Sequence, residues 1–125
     1  MPTLLCPPAA DPAPELLTLA REAESPAVRA GLLLLLDMRD EAHAVCQDDP
    51  TSLGSAWHAV VHRREGDFDN ALYWVRMSGD AAWAEGPDPR RLIAECRRAG
   101  STNPDALLDL QRQEWACLMD RSGAS

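Results

Sequence analysis

Apolar positions along this chain recur three and four residues apart, and no stretch alternates with period two. The pattern predicts an all-α protein, a single-domain helical bundle of about six or seven short helices joined by tight loops. Pro14 to Glu24 reads as a first helix, with Leu16, Leu17, Leu19 and Ala20 at helical spacing. Ser25 followed by Pro26 is an N-cap with proline at the first helical position, a strong start signal. The helix it opens carries Val28 and the run Leu32 to Leu36 and is apolar all round, so it is expected to be the central buried helix. Asp37 or Asp40 can cap a break before His43, which leaves residues 26–48 as either one helix or two.

Asp48, Asp49 and Pro50 end that unit. Ser52 is expected to cap a helix from Leu53 to about Arg64, Gly66 to stop it, and Asp67 to cap the next, Phe68 to Met77. Gly79 closes that helix, and a turn at residues 86–89 leads into Arg90–Ala99, which Gly100 ends. Asn103 and Pro104 start a last helix reaching about Arg121, with Leu107, Leu108, Gln111, Trp115, Leu118 and Met119 on one face. Residues 1–13, with four prolines, are expected to be an irregular leader; residues 14–121 form the single helical domain and 122–125 a disordered tail.

Composition narrows the function classes. With 46% apolar and 26% charged residues the chain has ordinary globular proportions, so disorder is not the expectation. A net charge of −8 argues against nucleic acid or an anionic membrane as partner, because phosphate recognition needs a clustered positive field. The 12 basic residues are all arginine, and the clusters they form, Arg63–Arg64, Arg90–Arg91 and Arg97–Arg98, are pairs rather than a stripe. Cys6, Cys46, Cys96 and Cys117 show no CxxC spacing and read as reduced thiols, mostly buried. Pro7 and Pro8 interrupt the first apolar stretch, which therefore does not read as a signal peptide. The run Gly31 to Leu36 is far short of the ~20 residues that span a bilayer. A cytoplasmic protein is the expectation.

The chemistry concentrates in one place. All three histidines, with the only tyrosine and phenylalanine, lie between His43 and Trp74. At about 100° per residue, Leu53, Trp57, Val60 and the stem of Arg64 share one helix face, while Ser55, His58, His62 and Glu65 lie on the roughly opposite one. His58 and His62 are i, i+4 neighbours, so their rings can meet one divalent metal ion, and a hairpin at Pro50 can bring His43 alongside. Glu41 or Glu65 would then orient the set. HxxxH pairs also occur by chance on many helices, so the commoner state of such a pair is exposed or hydrogen-bonded without an ion, and no HExxH supplies a base.

Arg63, Glu65, Asp67, Asn70, Tyr73, Trp74 and Arg76 are the ligand-binding candidates. Arginine forks recognise carboxylate or phosphate, so Arg63 and Arg64 can bracket a small anionic ligand, or the RREGD corner can be its own capping and ion-pair network. Tyr73 and Trp74 point about 100° apart, one expected in the core and the other along a groove. Cys46 and His43 could form a thiolate–imidazole pair.

The segment from Gly66 to Met77 resembles the turn and second helix of a tetratricopeptide repeat, with Gly66, Asp67, Phe68 and Ala71 in the matching positions. No second copy follows at the family's spacing of about 34 residues, so the likeness implies a shared helix hairpin rather than a solenoid. The longer run from about Gly31 to Arg76 resembles a group of small uncharacterised bacterial and fungal proteins built around a WHxxxHRREGDxxNAxYWxR core. Trp57, His58, His62, Arg63, Arg64, Glu65, Gly66, Asp67, Asn70, Ala71, Tyr73, Trp74 and Arg76 match it; after the tryptophan helix, Met77 and Gly79–Asp80 depart from an Arg and a His-Pro. The resemblance implies candidate residues and no particular reaction.

Three functions compete on this reading. The first is a small-ligand or divalent-metal binding protein with a His/Arg/Asp/Asn/Tyr pocket, catalytic or not. The second is a non-catalytic interaction module, its helix hairpin contacting a protein partner or a second copy. The third makes the motif a purely structural buried polar network.

Overall fold

The computed structural model describes residues 14–100, 102 and 104–124, and among these the chain is all helix and loop, with no strand. The helices are α1 (Pro14–Glu22), α2 (Pro26–Leu35), α3 (Arg39–Gln47), α4 (Ser52–Glu65), α5 (Phe68–Ser78), a short 3-10 helix (Asp80–Trp83), α6 (Pro89–Ala99) and α7 (Asp105–Ala124). Among the described residues no helix is long and apolar enough to cross a membrane. The expected leader at 1–13 and Asn103 of the expected last start lie outside the described residues.

Residues 26–48 form two helices, and neither Asp37 nor Asp40 caps the second. Asp37 takes the left-handed conformation (φ 58°), and the Asp37 and Met38 amides donate back to the Leu34 and Leu33 carbonyls at 3.1 and 2.8 Å. This paired return closes α2 in the way glycine usually does, and Met38 then opens α3 without a side-chain cap. The cap of α4 is Thr51 rather than Ser52: its hydroxyl accepts from the Gly54 amide at 3.1 Å and donates to the Asp49 carboxylate at 2.7 Å. At the next corner Gly66 (φ 83°) and Asp67 repeat the paired return onto Arg63 and His62, and Asp67 accepts from the Asn70 amide to start α5.

The central helix is α4, not α2. Gly54 and every residue from Ala56 to Arg64 are buried, because α2, α3, α5, α7 and the 3-10 helix all pack against it. In α2, by contrast, Leu35 faces solvent. Gly31 on α2 lets Trp57 of α4 and Met119 of α7 approach where a Cβ would clash. The expected apolar face of α7 is observed, with Leu107, Leu108, Gln111 and Leu118 buried and Trp115 and Met119 packed against the core.

That helix continues beyond the expected end at Arg121 to Ala124, so residues 122–124 are not a disordered tail. Ser122 is fully buried and accepts a hydrogen bond from the Trp57 indole at 3.1 Å, which satisfies a buried N–H and fixes the last turn. From the C-terminal part it is α7 that packs on α2 and α4; α6 packs on α5 and α7, where Leu92, Cys96 and Leu107 form a small cluster, and adds Ile93 to the main core.

Candidate metal centre

The short loops at Pro50 and Gly66 fold α3 and α5 back along the two flanks of α4, and this brings the expected polar clusters together. His43 Nε2 lies 3.0 Å from His58 Nε2. The His58 and His62 rings stack one turn apart on α4, centroids 4.8 Å apart, and the His43 ring stands edge-on to both at 4.8 and 5.3 Å. One ligand atom from each of the three imidazoles can be chosen so that all lie within 4.8 Å of one another.

The His58 and His62 rings have further neighbours. Trp74 lies flat against His58, centroids 3.9 Å apart, and Tyr73 stands edge-on to Trp74. Asn70 Nδ2 is 3.4 Å from His62 Nε2, while Glu65 and Asp67 carboxylates lie 3.6 and 3.9 Å from His62 Nδ1. Of the two ion-free states expected for the pair, exposed or hydrogen-bonded, the exposed one is not seen: His58 and His62 are buried because α4 is packed against on all flanks from Ala56 to Arg64, and His43 is half-buried.

Burial decides the charge state. Together with the neighbouring His62 and His43 rings, which act in the same direction, it pushes the His58 pKa down to about 4. Burial also lowers His62, partly opposed by the nearby Glu65 carboxylate. His58 is therefore neutral near pH 7, and of the two Nε2 atoms 3.0 Å apart, one must carry a proton and the other a lone pair. His58 Nδ1 is buried with no hydrogen-bond partner among the described residues. Placing the shared proton on His58 Nε2 leaves that atom an unpaired acceptor rather than an unpaired donor, the cheaper arrangement.

Other candidates lie elsewhere. Glu41 does not orient His43; it forms a two-point pair with Arg21 at 2.6 and 3.0 Å, tying α3 to α1 on the surface. Arg63 opens into no cleft: it is buried against Glu114 of α7 at 2.7 Å, both side chains 2% exposed. Arg64 donates to the Leu34 carbonyl at 2.7 Å. Arg76 is exposed beside Asp69 and Leu72, on a different face of α5 from Asn70 and Trp74. Cys46 is no nucleophile, since its Sγ turns to the His43 carbonyl and burial raises its pKa to about 12. Cys46 and Cys96 are buried and Cys117 is half-buried. A cleft of ≈ 410 Å³ lined by Leu34, Leu35, Arg64 and Trp115 is separate from the histidines.

Glu114 is the residue the sequence reading missed. Its signal was an acid at i+3 from Gln111 and i−4 from Leu118, inside the apolar stripe of α7. The chain matches no protein-family model, no curated protein and no solved structure.

Proposed function

We propose that this protein binds a divalent first-row transition metal, zinc or a close relative, through His43, His58 and His62. The observation that carries the reading is the 3.0 Å separation of the His43 and His58 Nε2 atoms with the third imidazole inside the same 4.8 Å group. Nitrogen ligands at about 2.0–2.1 Å from a tetrahedral ion sit about 3.3 Å from one another, so modest side-chain rotation suffices to close the set. The low pKa of His58 supports it, because protons then compete weakly for the ligand. Three imidazoles without a thiolate favour zinc, copper, nickel or cobalt over magnesium or calcium. Glu65, beside His62 Nδ1, is suited to hold that ring in the tautomer whose Nε2 lone pair is free.

Calorimetric titration with zinc tests the proposal. One ion per chain is expected, and each of His43→Ala, His58→Ala and His62→Ala should abolish most of the heat. A wild-type protein that takes up no zinc, nickel or cobalt would remove the metal reading. A second reading then gains: the His43–His58 and Asn70–His62 contacts act as a structural polar network.

A further inference from the structure

The three histidines are all the imidazole the chain has, and the other donors around them are turned to different partners. The Cys46 thiol faces the His43 carbonyl, and Arg63 and Arg64 lead away to Glu114 and Leu34. Glu65 and Asp67 approach the Nδ1 side of His62, the position of orienting carboxylates rather than of ligands. A metal held here has three protein ligands, and tetrahedral coordination leaves one more to be filled.

The surroundings say what can fill it. On the inner side the flat face of Trp74 closes the His58 ring at 3.9 Å. Around His62 the rim is half-buried Glu65 and Asn70 and exposed Asp67, and His43 is itself half-buried, so access comes from there. That rim carries two carboxylates, while the adjacent arginines Arg63 and Arg64 are buried with their charges directed to other groups. A dication with three neutral imidazoles and two nearby carboxylates sums to no net charge, so it offers an incoming anion little attraction.

Resting on the metal reading above, we infer that the His43/His58/His62 centre keeps an open coordination position that takes a small neutral donor, water or a nitrogen base of the ammonia or imidazole kind, and discriminates against phosphate and other oxyanions. Borderline divalent ions accept such nitrogen donors readily, and half-buried His43 is the member of the set that borders solvent.

Cobalt(II) serves as the probe, because its visible bands report both coordination and exchange at the open position. The full chain loaded with cobalt(II) should show intense tetrahedral bands that shift on titration with free imidazole and do not move with inorganic phosphate. In Glu65→Gln/Asp67→Asn, which keeps an N-cap at position 67, phosphate should shift the bands at a concentration at least tenfold lower than in the wild type. Cobalt bands that ignore imidazole would mean a closed, protein-only set and overturn the inference while leaving the metal reading intact. Phosphate shifting the wild-type bands as readily as imidazole would overturn the selectivity. Absence of any cobalt bands would remove the metal reading and this inference with it.

Discussion

Trp74 lies flat on His58, with ring centroids 3.9 Å apart and planes 14° apart, so α5 and α4 meet through an indole and an imidazole in face-to-face contact. The contact joins the exposed edge of α5, where Tyr73 stands, to the most buried helix of the molecule. Replacing Trp74 by Leu removes the stacked face while keeping an apolar group against the core. A loss of about 1 kcal/mol beyond the transfer difference is expected from the aromatic contact, read by urea unfolding of Trp74→Leu against Trp74→Phe. Equal stabilities for the two variants would show that the stack contributes nothing.

Acid should weaken the metal-free fold through the same imidazole. His58 titrates near 4 in the folded protein and near 6.5 when unfolded. Between those values the unfolded chain holds a proton that the folded one does not, so stability falls as pH drops from about 6.5 towards 4, by up to about 3 kcal/mol. His62, also lowered, acts in the same direction. Denaturation midpoints measured across that window check it, and His58→Gln should flatten the slope; a pH-independent midpoint would contradict the buried neutral ring.

The Arg63–Glu114 pair, with both side chains 2% exposed, joins α4 to α7. Removing one partner leaves a buried charge uncompensated, a loss of about 3–5 kcal/mol. Glu114→Gln and Arg63→Met should each be strongly destabilising, and Arg63→Met combined with Glu114→Leu should recover much of that loss. A double-mutant cycle with no coupling would show that the pair is not an energetic unit.

The corner between α4 and α5 holds two further tests. Asp67→Ala removes the N-cap that accepts from the Asn70 amide and should cost about 1 kcal/mol. Gly66→Ala places a Cβ on a backbone at φ 83° and should cost a similar amount. Because Asp67 also faces His62, its variant should in addition weaken zinc binding, whereas Gly66→Ala should change stability with little effect on affinity at temperatures where it is folded.

Helix existence and spacing were legible in the sequence because caps and glycines act locally. Ser25–Pro26, Gly66–Asp67 and Gly100 each end or begin a helix through contacts within a few residues. The convergence of His43, His58, His62 and Asn70 was also legible, since loops as short as those at Pro50 and Gly66 force neighbours to be antiparallel. The identity of the central helix was not. The apolar run in α2 outweighs the His, Arg and Trp content of α4 in any local hydropathy reading, yet long-range partners decide burial. Arg63 is inside because Glu114 meets it from 51 residues away, and Trp57 because Ser122 does. The break at Asp37 was missed as a left-handed residue because aspartate seldom takes the place of glycine there.

The enclosure of α4 on every side also sets the order in which the molecule comes apart. Amide exchange in Ala56 to Arg64 requires α7, α5 or α3 to leave first, so these protons should be released only with complete unfolding, while α1, with Leu16 and Leu19 in solvent, opens on its own. The imidazoles carried by α4 therefore have no locally frayed state in which to lose their neighbours. Their mutual geometry persists for as long as the chain is folded and disappears with it in a single event.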